Sequence, residues 1–411
     1  MARDLDVLLH GEVVGHLRQE DSGRLSFRYG QSWLEKSEAV ALSLSLPLRE
    51  ETFDDGATQP FFAGLLPDEL ARERLARHLG LSRQNSFALL AEVGGECAGA
   101  VSLLEPGRQL PAAGDDVVHL DKAAFADHLR SLPRRPLLVG GELRLSLAGA
   151  QDKMALIYSE GELFLPRGQA ATTHIVKTGI DGFDDTVANE FFCLRLASRL
   201  GLDVPAVQVD EVDGLEYLLI ERYDRLVAPE SRAIERLHQE DFCQALGIPP
   251  EQKYQAEGGP SLAQCFALLS SCRRPAAARL ALMRRVIFNF WIGNADAHGK
   301  NFAFLYRRTR PDLAPLYDVL CTRAYSDHTD RMAMKIGGKR RFDEVLERHW
   351  QRLADETRFS WPGVRRIFRE WTELLPKHAR ELAAELGELG RRPTVTRIVE
   401  GVEKTACEIP T

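Results

Sequence analysis

The seven cysteines of this chain (Cys97, Cys193, Cys243, Cys265, Cys272, Cys321 and Cys407) lack an even count, a regular spacing and any C-x-x-C pair. That excludes a disulfide scaffold and a zinc site built on paired cysteines, and it fits a reducing cytoplasm. Also missing is an apolar run near the ~18 residues that a membrane-spanning helix needs. The N-terminal residues Met1-Ala2-Arg3-Asp4-Leu5-Asp6 place acids where a secretory signal has its apolar core, so a cytoplasmic protein without membrane contact is expected. Basic charge is not in excess either: 53 Lys and Arg stand against 60 Asp and Glu, for a net charge of −7. No global field draws this chain to a phosphate backbone, which argues against autonomous DNA binding. The short basic clusters Lys339-Arg340-Arg341 and Arg365-Arg366 read as solvated helix faces. Repeats, low-complexity tracts, a Walker A loop and a G-x-G-x-x-G loop are all absent.

What is present is a globular composition, 44% hydrophobic and 27% charged, over 411 residues, enough for two or three domains. Apolar stretches from Leu5 to Leu17, then Leu25 to Tyr29, predict a small antiparallel sheet at the start. The alternation Ser43-Leu44-Ser45-Leu46-Pro47-Leu48 predicts a strand ended by proline. Residues 60–68 read as an apolar turn leading into a helix. The Pro- and Gly-bearing stretch 105–116 is the best internal boundary, and a helix is expected from Lys122 to Leu132. Short strands follow at 143–147, 153–158, 163–165 and 174–177, then a helix over 184–200 with Val187, Phe191 and Leu194 on one face. Strands over 204–209 and 215–221 flank Asp213-Gly214, a pair suited to a hairpin turn. Beyond Asp241 helices dominate, at 261–270, 276–293, 342–355 and 363–386, with strands only at 302–306 and 313–317. A β-rich part thus precedes an α-rich one.

The sharpest chemical signal is Asn294-Ala295-Asp296-Ala297-His298-Gly299-Lys300-Asn301, lying between a long apolar helix and a strand. Asp296 and Asn301 are five positions apart, the spacing of base and metal-binding amide in the kinase loop H-R-D-x-x-x-x-N, although His-Arg is replaced here by Asn294-Ala295. Asp318, in Leu316-Tyr317-Asp318, offers a second carboxylate after a strand. Magnesium prefers hard oxygen donors such as Asn301 and Asp318, whereas Asp296 would orient the attacking hydroxyl and accept its proton. Upstream, Lys177 ends a strand and Glu190 lies on the next helix, the order in which a kinase arranges its phosphate-binding lysine and the glutamate that positions it. The turn Ser146 to Lys153 holds one glycine, Gly149, and reads either as a plain hairpin loop or as backbone N–H groups laid over phosphates. The stretch Ile220-Glu221-Arg222-Tyr223-Asp224 likewise admits two readings, a hinge presenting backbone groups to adenine or a buried ion pair at a junction.

Taken in order, SLSLPL at 43–48, FFAGLLPD at 61–68, SLAGAQDK at 146–153, THIVK at 173–177, NEFFC at 189–193, ERYD at 221–224, QED at 239–241, NADAHGKN at 294–301 and LYD at 316–318 resemble the HipA family of type II toxin–antitoxin kinases over nearly the whole chain. The resemblance implies an α+β, protein-kinase-like bilobal fold, with a β-rich N-lobe, an α-helical C-lobe and an extra N-terminal β-containing subdomain. The corresponding parts are residues 1–138, 139–225 and 226–411. It implies ATP and Mg²⁺ as cofactors, Asp296 as catalytic base, Asn301 and Asp318 as metal ligands, and Lys153 and Lys177 at the nucleotide phosphates. Glu221 and Tyr223 would meet adenine through their backbone, with Asp224, Gln239, His298 and Tyr317 around the nucleotide. Ser146 falls on the serine that the family autophosphorylates, and a charge of about −1.5 to −2 there would expel the loop and silence the kinase. Asp152 in place of a Glu and Tyr223 in place of a Phe are small departures that leave the base and metal positions untouched.

The implied partners are a HipB-like helix-turn-helix antitoxin, operator DNA reached mainly through that antitoxin, and a protein substrate from translation, such as an aminoacyl-tRNA synthetase. Two other functions suit parts of the pattern. One is a kinase for a lipid or small molecule, distinguished by where phosphate appears. The other is a nucleotide-binding co-repressor that bridges antitoxin dimers on DNA, against which the intact Asp296, Asn301 and Asp318 set argues.

Overall fold

The computed structural model describes residues 3–108, 117–132, 138–139, 142–143, 145–146, 151, 153–166, 171–228, 234–307, 309–326 and 329–408, with the backbone alone at 138–146 and at Glu69. The boundary expected at 105–116 and the turn 147–150 with Asp152 fall largely or wholly outside them. Two units form by contact: residues 1–178, 210–251 and 304–311 in the first, and 179–209, 252–303 and 312–411 in the second.

In the first unit Leu25–Tyr29, Glu12–Gln19, Arg3–Leu9 and Val101–Leu104 build a four-stranded antiparallel sheet in that spatial order. Its inward residues Leu5, Val7, Leu9 and Phe27 meet Phe53, Phe61 and Phe62 in one apolar cluster. The expected strand at 43–48 does not form: Ser43 and Leu46 make an isolated bridge across a tight turn. Its alternation has another cause, because the hydroxyls of Ser43 and Ser45 are spent on Glu240 and on the carbonyl of Gln244 while Leu42 and Leu46 enter the core. The apolar segment 60–64 is not a turn but the end of the helix Asp55–Gly64, capped by the Asp54 side chain. Gly64 packs so closely on Gln244 that an added Cβ would lie 2.7 Å from its Cγ.

A second sheet places Leu215–Glu221, His174–Thr178, Lys153–Ser159, Glu162–Pro166 and Val117–Leu120 side by side, all antiparallel. Asp213 and Gly214, at φ 50° and 76°, supply the left-handed pair that the turn into Leu215 requires. The strand expected at 204–209 is found at Val207–Val212.

The second unit is mainly helical: Thr186–Arg199, Leu262–Leu268, Pro275–Trp291, Glu347–Thr357, Trp361–Glu385 and Pro393–Glu408. Trp291, Phe288, Phe368 and Trp371 interlock at its centre, with Trp291 and Trp371 rings 6.3 Å apart. Lys339-Arg340-Arg341 lies on a strand rather than a helix face. It pairs with Arg331–Ile336 across Gly337 and Gly338, and an added Cβ at Gly337 would meet the His349 carbonyl at 2.1 Å. Among the described residues no helix is long and apolar enough to cross a membrane. The seven cysteines are free, six of them buried.

Candidate active site

The helix Pro275–Trp291 is buried over most of its second half, and Gly293 stops it at φ +72°. From there a ladder of amides carries order into the loop. Asn289 Nδ2 donates to the Arg285 carbonyl, Asn294 Nδ2 donates to Asn289 Oδ1 at 2.8 Å, and the Asp296 N–H donates to Asn294 Oδ1 at 3.0 Å. Asn294, where a kinase has histidine, therefore spans the helix end and the backbone of Asp296. The Ala295 carbonyl accepts from Ala333 N at 2.7 Å, fixing the loop from the other side.

Asp296 projects a carboxylate that is 47% exposed, with His298 Nε2 4.0 Å away and the Tyr254 hydroxyl donating to Oδ1 at 2.7 Å. Five residues on, Asn301 uses both ends of its amide: Oδ1 accepts from the His298 N–H at 3.0 Å, and Nδ2 donates to Asp318 Oδ2 at 2.9 Å. Asp318 sits at φ +56°, a left-handed conformation that aspartate tolerates better than most residues. The neighbouring Tyr317 hydroxyl donates to the Lys300 carbonyl at 2.6 Å. One unit thus collects Asp296, His298, Asn301, Tyr317 and Asp318 around two short loops. The donors on Asn301 and Asp318 are hard oxygens, the kind that suits Mg²⁺.

The segment after Asp318 is anchored in turn. Asn189, on the helix Thr186–Arg199, accepts from Cys321 N at 2.8 Å and donates to Cys321 O at 3.0 Å. Glu190, the next residue, is buried at 2% exposure in this unit, whereas Lys177 belongs to the other.

In the first unit Lys153 and Lys177 are register partners on adjacent antiparallel strands, so their side chains leave the same face a few ångströms apart. Lys177 is 6% exposed. Glu221 ends its strand opposite His174, and the chain then turns through Arg222, whose N–H donates to the Thr173 carbonyl. Tyr223 follows. Asp224 sits in a buried charge cluster, accepting from Arg222 Nη2 at 2.9 Å and from the Gly99 N–H at 2.8 Å, with Arg225 Nη1 2.9 Å away. Glu96 completes the cluster against Arg222 and Arg225. Those guanidiniums, with the Gly99 amide, hold the Asp224 carboxyl well below the usual carboxylate range, outweighing its burial. The ion-pair reading of this stretch thus describes Arg222 and Asp224. Gln239 carries a buried Oε1 that finds no hydrogen-bond donor among the described residues. The Ser146 backbone pairs in parallel with Cys97; its side chain lies outside the described residues.

Tyr254, Asn289, Asn294, Thr322 and Asn189 complete these loops without having been singled out in the sequence for that work. Asn294 and Asn189 stand inside the motifs already noted, so a polar side chain beside a functional one was their only signal.

Known proteins match this chain along most of its length. The HipA-like C-terminal domain matches residues 145–379, and the HipA N-terminal domain matches residues 5–104. The protein Y4mE of Sinorhizobium fredii is 46% identical over 370 residues, 89% of this chain and 88% of its own. The serine/threonine-protein kinase toxin HipA of Shewanella oneidensis is 31% identical over 342 residues, 78% of this chain and 77% of its own. Among solved structures, the complex of HipA, HipB and operator DNA from Shewanella oneidensis has a chain with a TM-score of 0.83 at 26% identity, covering 98% of this chain and 97% of that one. The α+β, kinase-like fold expected from the sequence is the fold of this chain.

Proposed function

This chain belongs to the HipA family of toxin kinases, and from that premise we propose that it transfers the γ-phosphate of ATP to a serine or threonine hydroxyl of a protein. The observation that carries the reading is the pairing of Asn301 with Asp318 at 2.9 Å, five and twenty-two residues after Asp296 and within the same unit. In this reading Asp296, its backbone N–H held by the Asn294 amide, orients the acceptor hydroxyl and takes its proton. Asn301 and Asp318 would hold Mg²⁺. ATP with Mg²⁺ supplies the transferable phosphoryl group. Lys153 and Lys177 place two positive charges on one face of their sheet, suited to phosphate oxygens. Gln239 offers its unmet Oε1 to a donor such as the adenine amine, while the backbone at Glu221 and Tyr223 lines the purine edge. His298 and Tyr317 complete the nucleotide surroundings, with Tyr317 held to the loop of Asn301 through the Lys300 carbonyl. Glu190 keeps the place in sequence, on the helix after the Lys177 strand, of the glutamate that positions a kinase's phosphate-binding lysine. Asp224, saturated by arginines, would serve by holding the turn after Glu221.

The proposal extends to regulation and partners. Ser146 is the site of self-inactivating autophosphorylation. A HipB-like antitoxin neutralises the kinase and links it to operator DNA; the Shewanella structure holds HipA, HipB and operator DNA in one complex. The substrate is a translation component such as an aminoacyl-tRNA synthetase, and the chain works in the cytoplasm.

Intact-mass analysis with peptide mapping, on wild type and Asp296→Gln incubated with ATP and Mg²⁺, tests this. One phosphate on Ser146 in the wild type and none in the variant is the expected result. Unphosphorylated wild type that binds ATP yet gains no phosphate would overturn the autophosphorylation reading.

A further inference from the structure

We propose that Tyr254 is a positioning residue for phosphoryl transfer: it locks the rotation of the Asp296 carboxylate, leaving Oδ2 as the oxygen that meets the acceptor hydroxyl. The proposal rests on Asp296 being the base. A loop carboxylate that is half exposed can turn about its own side-chain bonds even when its backbone is fixed. The amide of Asn294 holds only the Asp296 N–H. The carboxylate itself takes its hydrogen bond from the Tyr254 hydroxyl, at 2.7 Å on Oδ1.

Tyr254 is well placed for such a role because its own segment is rigid. Its carbonyl accepts from the N–H groups of both Glu257 and Gly259 at 2.9 Å. At Gly259 no side chain fits, since an added Cβ would lie 2.2 Å from the Gln252 carbonyl and 2.7 Å from the Tyr254 carbonyl carbon. Gln255, the next residue, accepts from the Lys335 N–H at 2.7 Å. The segment also reaches the catalytic loop a second time, through Gly299 N donating to the Lys253 carbonyl at 3.4 Å. Finally, the Tyr254 ring meets the His298 ring edge to face, with centroids 5.2 Å apart and planes at 84°. Two hydrogen bonds and a ring contact thus tie one turn to the loop of Asp296, and the phenolic oxygen of Tyr254 is the atom that hydrogen-bonds the base.

Proximity effects make the orientation of a reacting group worth a large rate factor, so loss of one aligning hydrogen bond should slow the chemical step without disturbing nucleotide binding. The experiment measures initial phosphate incorporation into the chain itself, with ATP and Mg²⁺ varied separately, for wild type, Tyr254→Phe, Asp296→Asn and the double variant. Phenylalanine keeps the ring against His298, so the fold is retained. Tyr254→Phe should lower the maximal initial rate of self-incorporation about tenfold, with the ATP concentration at half-maximal rate within about twofold. The same change on an Asp296→Asn background should add no further loss, since the two act as one unit. A Tyr254→Phe enzyme with the wild-type maximal incorporation rate, or one whose half-saturating ATP concentration and melting temperature move as far as that rate, overturns the proposal while Asp296 stands. Full activity in Asp296→Asn instead removes the base assignment, and the role of Tyr254 falls with it.

Discussion

The Thr322 hydroxyl accepts from the Ala295 N–H at 2.8 Å and donates to the Gly293 carbonyl at 3.1 Å. Thr322 is four residues beyond Asp318, and Ala295 is one residue before Asp296. A single buried hydroxyl therefore sets the distance between the segment of the proposed metal ligand and the loop of the proposed base.

Replacing Thr322 by valine keeps the shape and removes that hydroxyl. The buried Ala295 N–H and Gly293 carbonyl then lose a partner, which should cost about 1–3 kcal/mol of stability. Thr322→Ser should recover most of it. Urea denaturation read alongside phosphate transfer checks both, and a valine variant as stable and active as wild type would remove Thr322 from the account.

Glu240 is fully buried in the first unit, where it accepts from Ser43 Oγ, Leu44 N and the Tyr306 hydroxyl. Burial is the largest influence on its carboxyl and pushes it up to about 7, against the three hydrogen bonds that favour the anion. A folded value above the unfolded one means the protonated form is favoured by folding. This contribution is fully present below about 4.5 and is lost as pH rises toward 7. Glu240→Gln lacks the titration, so wild type should lose up to about 3 kcal/mol relative to this variant between pH 5 and pH 8. Denaturant midpoints at four pH values decide it; parallel curves for the two proteins would refute the shift.

How far the site was legible in the sequence follows from how local each relationship is. Asp296 and Asn301 lie in one loop, so their spacing along the chain already carries their chemistry. The pairing of Lys153 with Lys177 was not legible, because the strand Glu162–Pro166 lies between theirs in sequence yet packs on the far side of Lys153–Ser159 in the sheet. Tyr254 was not legible: 42 residues separate it from Asp296, and nothing periodic or motif-like marks it. At 43–48 the pattern itself misled, since alternating serines arise equally from a pleated strand and from a turn whose hydroxyls are claimed by Glu240 and Gln244. The basic run at Lys339 was misassigned for a related reason. Its strand is imposed by Gly337 beside the His349 carbonyl, a contact made only in the folded chain.

The cluster around Asp224 sets two buried guanidiniums, Arg222 and Arg225, and the part-buried Arg236 against two carboxylates, Glu96 and Asp224. Arg236 spends its donors on the carbonyls of Gly99, Cys97 and Val101, and burial lowers it to about 10. Asp224→Ala leaves Glu96 alone against all three, so about 3–5 kcal/mol should be lost. Because the Asp224 carboxyl is depressed in the fold, its contribution is present above the ordinary carboxylate range and is lost as pH falls through the depressed value. Thermal unfolding of both proteins from pH 7 down to pH 2 follows the onset of this loss, and a variant as stable as wild type at pH 7 would contradict it.

Gln239 allows the proposed nucleotide site to be tested apart from the base. Its Oε1 is buried and meets no donor among the described residues, which is a cost unless a ligand supplies one. Adenine carries an exocyclic amine suited to that acceptor, whereas guanine presents a carbonyl at the same ring position. Gln239→Leu removes the acceptor while keeping comparable volume. KM for ATP should rise about tenfold with kcat nearly unchanged, because a contact to adenine is the same in the ground and transition states. Discrimination between ATP and GTP should narrow by a similar factor. A drop in kcat at unchanged KM would place Gln239 away from the purine and assign it to alignment of the phosphates instead.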